Sequence, residues 1–232
     1  LAPRGSGGGL LRGALLALPL LLVFGALFAA ADPAFEAFLS RLVGSALEGW
    51  GGHLALTLLM AWFAGGYLLG LGRDTRLREG LEARLPRPTL GILEVGTVMG
   101  LVALLFLAFV GVQFRFLFGG AEAVAATPGL THAAYAREGF QQLLLASLLV
   151  LPLLLLADWL LARRGPGDER LFRTLGWVQL ALLGVVLASA LHRILVYRDA
   201  YGLTEARLFG MVALAWVGVT AGWLGLSVLR GR

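Results

Sequence analysis

Cysteine, lysine and asparagine are all absent from the 232 residues. Without cysteine there is no disulfide and no thiolate chemistry, and the redox compartment is left open. Charge is scarce as well: 14% of residues are charged, against about 25% in a typical soluble domain. That deficit excludes a soluble globular domain. All nineteen basic residues are arginine, and they outnumber fourteen acids to give a formal net charge of +5. Such a balance suits nucleic acid when the arginines gather in one patch. Here they flank apolar runs, so nucleic acid is not an expected partner. No nucleophile motif, phosphate-binding loop or dinucleotide fingerprint occurs. With 33 glycines in the chain, short GxG fragments carry no weight.

What fills the chain is apolar, at 59% of residues. A helix crosses the hydrocarbon layer with roughly 20 apolar residues. Six stretches qualify, about 10–31, 50–72, 89–118, 139–162, 174–197 and 205–229. The expected fold class is therefore all-α: a polytopic transmembrane helix bundle of about six spans, forming one domain over 10–232. Pro19 and Pro152 fall inside two spans, which membrane helices tolerate where neighbours satisfy the freed carbonyls. Residues 1–9, LAPRGSGGG, read as a flexible linker or the start of a fragment.

Arginine placement sets the orientation. With the N-terminus cytoplasmic, thirteen arginines lie inside, and six (Arg41, Arg115, Arg137, Arg193, Arg198 and Arg207) lie outside. The bias holds loop by loop and predicts a multi-pass protein of a cytoplasmic (inner) membrane with both ends of the segment inside. The first span has a rival reading. Arg4 and Arg12 precede an apolar run ending Ala29-Ala30-Ala31, the pattern of a signal peptide and its cleavage site.

Asp32-Pro33 opens a further helix, with Asp32 as N-cap and proline in the first helical position. Phe35, Phe38, Leu39, Leu42, Val43, Ala46 and Leu47 share one face, while Glu36, Ser40, Arg41 and Glu48 share the other. That amphipathic pattern predicts a helix lying along the outer interface or, equally, an ordinary amphipathic packing helix. The two long inner loops, RDTRLREGLEARLPRP and RRGPGDERLFR, mix arginine with acids as solvated loops beside lipid headgroups do. Docking of a soluble partner is the alternative. Gly66/Gly70, Gly96/Gly100 and Gly218/Gly222 each form a small-xxx-small pair that would let helix backbones approach closely.

An ionisable group at the bilayer centre costs at least ~2.5–3.5 kcal/mol, so within a span it faces protein or water. Glu94 stands at the inner start of the third span and Asp158 near the inner end of the fourth, with Arg163 and Arg164 close by. Gln179 in the fifth span reads as a helix-to-helix hydrogen bond. The outer ends are richer. Gln113 and Arg115 close the third span, Glu122 follows, and Thr131 is placed to cap a helix carrying His132, Tyr135, Glu138 and Gln142. The densest stretch, LHRILVYRDAYGLTEAR (191–207), adds His192, Arg193, Tyr197, Arg198, Asp199, Tyr201, Thr204, Glu205 and Arg207. Within it Gly202 suits a turn, and Thr204 stands as N-cap of the last helix.

Two chemistries fit this rim. One is a structural clasp, with Arg115, Arg193, Arg198 or Arg207 paired to Glu122, Glu138, Asp199 or Glu205. The other is a pocket open to the outside, whose arginines hold a phosphate or carboxylate in forked hydrogen bonds. His53, His132 and His192 all fall at outer helix ends and are candidate metal ligands. None stands at the i, i+4 spacing of a helical pair, so neither a metal nor a cofactor is expected.

Four stretches carry a resemblance: FGALFAAADPAF (24–35), EVGTVMGLVALLFLAFVGVQFRFLFGG (94–120), HAAYAREGFQQLL (132–144) and LHRILVYRDAYGLTEARLF (191–209). Together they resemble a group of bacterial multi-pass membrane proteins described as a domain of unknown function (the 4153/4173 group). The resemblance implies a retained first span and a longer N-terminal membrane region. It implies no reaction, substrate or catalytic residue. The leading expectation is a non-enzymatic scaffold, accessory subunit or sensor module. A transporter or flippase-like component for an anionic or lipid-linked substrate comes second, and a membrane enzyme acting at the outer face third. Expected partners are membrane lipid, other membrane subunits, or the N-terminal region of the same protein.

Overall fold

The computed structural model describes residues 6–43, 89–118 and 139–230; the expected span at 50–72 lies outside them. Six α-helices occupy the described residues: α1 (Ser6–Ala31), α2 (Pro33–Val43), α3 (Ile92–Phe118), α4 (Phe140–Leu160), α5 (Pro166–Tyr201) and α6 (Glu205–Leu224). One π-helical turn, Gly225–Leu229, continues α6. Five of the six, all but α2, are long and apolar enough to cross a membrane. The chain is an all-α membrane protein.

Two helices extend past the apolar runs. α1 starts at Ser6, inside the glycine-rich stretch read as a linker. α5 covers 36 residues and takes in part of the expected inner loop. Pro166 begins it with a backbone already set for a helix, and Asp168 and Glu169 in the first turn complement the helix dipole. At 1.5 Å per residue such a helix is about 54 Å long, against roughly 30 Å of hydrocarbon. Its ends therefore stand outside the apolar layer, which explains how it carries charge at both.

Contacts along the helices fix their directions. Gly9 and Gly13 of α1 lie against Leu93 and Thr97 of α3, and Phe24 and Phe28 against Phe106 and Phe109, so these two run parallel. The start of α3 meets the end of α4, where Leu90 donates its amide to Leu160 at 2.8 Å and accepts from Ala162 at 2.9 Å. Leu171 and Leu175 of α5 pack on Gly96 of α3, and α6 returns antiparallel, with Gly210 near Ile194 and Gly225 near Trp177. The bundle thus has a first end, formed by the starts of α1, α3 and α5 and the ends of α4 and α6. A second end gathers the opposite termini.

The core is aromatic where α1, α2 and α3 meet. Phe24, Phe28, Phe35, Phe106 and Phe109 are all buried. Phe28 stacks on Phe109 at 4.1 Å and meets the edge of Phe106 at 4.7 Å. Each such pair contributes about 0.5–1.5 kcal/mol beyond its burial. On α2, Phe35 points into this core while Phe38 and Leu42 stay exposed, as suits a helix at an interface.

α6 shows what must surround the bundle. Its buried face is Gly210, Leu214, Val217, Ala221 and Leu224. The opposite face, Phe209, Val212, Trp216, Val219 and Trp223, is just as apolar yet 57% to 73% exposed. A helix apolar on both faces, with one of them uncovered, belongs in hydrocarbon.

Among the described residues Gly96/Gly100 and Gly218/Gly222 show no close approach. Among the described residues nothing lies within 4 Å of a Cβ built on Gly100, Gly218 or Gly222, and Gly96 has only ordinary contacts from 3.7 Å. The last two sit away from the α6 face that is buried. Close approach among the described residues uses Gly9 and Gly13 of α1, themselves four residues apart, and Gly176 of α5. A Cβ on Gly13 would come within 2.7 Å of Thr97, and one on Gly176 within 2.6 Å of Leu229. Gly66 and Gly70 lie outside the described residues.

Candidate functional site: a buried clasp at the second end

Asp32 is the joint between α1 and α2. Its amide donates to Phe28 O at 3.0 Å, closing α1, and its carbonyl accepts from Glu36 at 3.0 Å, opening α2. Its side-chain Oδ1 accepts from the Ala34 amide at 2.9 Å, the bond expected of an N-cap. The other oxygen, Oδ2, accepts from Arg193 Nη2 at 2.8 Å. Arg193 also donates through Nη1 to the carbonyl of Ala31 at 2.9 Å. Asp32 is 1% exposed and Arg193 4% exposed, so this ion pair is buried.

Gly139, at the start of α4, completes the arrangement. It has φ of +90°, and a Cβ there would run into the Ala31 carbonyl oxygen and the Arg193 guanidinium. Only glycine fits both the backbone angle and the space. Its carbonyl then accepts from Leu143 at 3.0 Å as α4 begins. One guanidinium therefore ties the α1–α2 joint to the α5 end, with the α4 start packed closely against it. Removing one partner of a buried pair costs about 3–5 kcal/mol, because the other charge stays behind.

The rest of the rim is more open. His192, Asp199, Tyr201, Thr204 and Glu205 are exposed. Arg198 pairs with its neighbour Asp199 at 2.7 Å, and Arg207 donates to the carbonyl of Gly202. Gly202 ends α5 with φ of +75°. Thr204 stands at the N-cap of α6 but makes no side-chain cap bond; its carbonyl accepts from Arg207 and Leu208. Arg115 lies in the final turns of α3. Glu122, His132, Tyr135, Glu138 and His53 lie outside the described residues. Among the described residues no three His, Asp or Glu side chains group as metal ligands.

Sequence reasoning placed Arg193 in a clasp but read Asp32 only as a cap. The signal was present: Asp32 is the one ionisable residue where the first span ends, at the same end of the bundle as Arg193. Gln179 departs from expectation. It is 1% exposed in α5, and among the described residues neither of its side-chain polar atoms has a hydrogen-bond partner. Gln113 of α3, 2% exposed, is in the same condition.

Glu94 and Asp158 both belong to the first end. Glu94 Oε2 accepts from the Gly91 amide at 2.7 Å, capping α3, and its other oxygen lies 3.9 Å from Arg12. Asp158 pairs with Arg163, which also reaches Glu169 at 2.7 Å; Glu169 in turn holds Arg173 at 2.9 Å. Partial burial works against the Arg163 charge, but its bonds to Glu169 and Asp158 outweigh that and raise its pKa above the usual arginine value. Sequence reading had placed Arg163 beside Asp158 but had not joined Glu169 and Arg173 to them. The i, i+4 spacing of 169 and 173 on one helix was the available cue.

Against known proteins, the sequence matches one family model, described as Domain of unknown function (DUF4153), over residues 2–232. No curated protein and no solved structure matches it.

Proposed function

The chain belongs to the DUF4153 family, and from that premise and the geometry above we propose a non-enzymatic role as a membrane scaffold, accessory subunit or sensor module. In this reading the protein sits in a bacterial cytoplasmic membrane with its first end inside, and the second end is a structural clasp. The observation that carries it is the burial of Arg193 against Asp32 and the Ala31 carbonyl. A guanidinium bound to protein on these sides and 4% exposed is withheld from a ligand. The parallel course of α1 and α3 supports the six crossings expected from the sequence. The arginine bias of the sequence supports the orientation.

A transport component is the second reading, favoured by the buried amides of Gln113 and Gln179, which have no hydrogen-bond partner among the described residues. Against it, α1 and α4 pass through Pro19 and Pro152 without a break, whereas transporters place broken helices at the midplane.

The cysteine-free background allows a direct test. Leu203→Cys and Arg170→Cys are each introduced alone and probed with a membrane-impermeant maleimide on intact cells. The proposal expects labelling at 203 only; labelling at 170 only would overturn the orientation. For the role, Arg193→Gln is expected to lower the yield of folded protein. Normal yield with loss of a bound anion would replace the clasp with a ligand site.

A further inference from the structure

We propose that a groove at the first end holds the phosphate headgroup of an anionic phospholipid. The groove, about 870 Å³, lies between the start of α1 and residues 89–94, with Arg164 and Asp168 at its edge. Gly8 and Gly9 leave one side bare of side chains. Leu15, Leu16 and Leu93 form an apolar wall and are all substantially exposed. Arg12 and Arg164 stand at the rim.

Two acids share that rim, but each is committed to a helix start. Glu94 accepts from the Gly91 amide at 2.7 Å and Asp168 from the Arg164 amide at 3.0 Å. There they offset the partial positive charge of the α3 and α5 termini. The guanidinium groups are less engaged. Arg12 is 3.9 Å from Glu94, beyond hydrogen-bond range, and the Arg164 guanidinium has no hydrogen bond or ion pair among the described residues. Two arginines with donors to spare above an apolar wall match a phosphate carried on acyl chains. A soluble anion would use the rim and leave the wall uncovered. A choline or ethanolamine headgroup would bring a cation to two like charges. Basic pockets between membrane helices recognise anionic headgroups in this way, and arginine binds phosphate through paired donors. The assignment holds whichever side of the membrane the first end faces.

Native mass spectrometry of the full chain in neutral detergent tests it, with phosphatidylglycerol and phosphatidylcholine of the same acyl chains supplied in equal amounts. The expected result is preferential retention of phosphatidylglycerol. Arg12→Gln and Arg164→Gln should each weaken that retention about fivefold, the worth of one basic side chain near an anionic surface. Arg41→Gln, an exposed change at the other end, should leave it unaltered. Both rim arginines are exposed, so the variants keep the fold, and unchanged elution on size exclusion verifies this. Equal retention of the two lipids, undiminished retention in both rim variants, or displacement of the lipid by inorganic phosphate would each overturn the proposal.

Discussion

The two ends of this bundle use the same chemistry in opposite surroundings. At the second end one arginine and one aspartate meet in a space closed by Gly139, at 4% and 1% exposure. At the first end Arg163, Asp158, Glu169 and Arg173 form a larger network, each side chain between 24% and 44% exposed. The larger network is the weaker one. Exposed ion pairs contribute about 0–1 kcal/mol each, since water and salt compete for them. A buried pair is costly to desolvate but far costlier to split. Helix ends are thus locked at one side of the bundle and loosely laced at the other.

Breaking the buried side should have the largest effect. Asp32→Asn or Arg193→Gln is expected to destabilise by about 3–5 kcal/mol, seen as a lower unfolding midpoint and reduced folded yield in detergent. Gly139→Ala should follow closely, at about 1–3 kcal/mol for the backbone angle with a further cost for the clash at Ala31. If Gly139→Ala were silent, the close packing around Arg193 would be wrong.

Splitting the exposed network should do much less. Arg163→Gln is expected to cost about 1 kcal/mol or under, and less still in high salt. The raised pKa of Arg163 gives the sign of its pH dependence. Its charge stabilises fully below the ordinary arginine pKa and is lost only as pH rises through the raised one. Melting in mildly to moderately alkaline buffers should therefore show no step from this group.

Gln179→Leu sharpens the contrast from the other direction. Replacing an unpartnered buried amide with an apolar side chain of similar size should be neutral or stabilise by about 1–2 kcal/mol. A clear loss of stability would mean that the amide has a partner. Smallest of all, Thr204→Ala should shift the unfolding midpoint barely at all, because its hydroxyl makes no cap bond.

Much of the fold was legible because the bilayer enforces it. Every crossing must be a long apolar helix, so composition alone locates α1, α3, α4, α5 and α6 to within a few residues at most ends. The π-helical turn after α6 and the charged first turns of α5 were not legible; local capping by Pro166 and Asp168 extends α5 past its apolar run. Positions of polar residues along the helices were readable, but their partners were not. Arg193 and Asp32 are separated by 161 residues, and nothing local in either segment names the other. Glycine spacing was not decisive for the same reason: Gly218 and Gly222 stand four residues apart, and only the packed bundle decides whether they meet a neighbour.

The central claim is that Asp32 and Arg193 act as one unit, and a double-mutant cycle measures that directly. Unfolding free energies of Asp32→Asn, Arg193→Gln and the double variant would be compared with the parent chain in the same detergent. The account predicts a double variant hardly less stable than either single one, so that the coupling energy approaches the single-variant loss of about 3–5 kcal/mol. Additive losses, with coupling under about 0.5 kcal/mol, would contradict it.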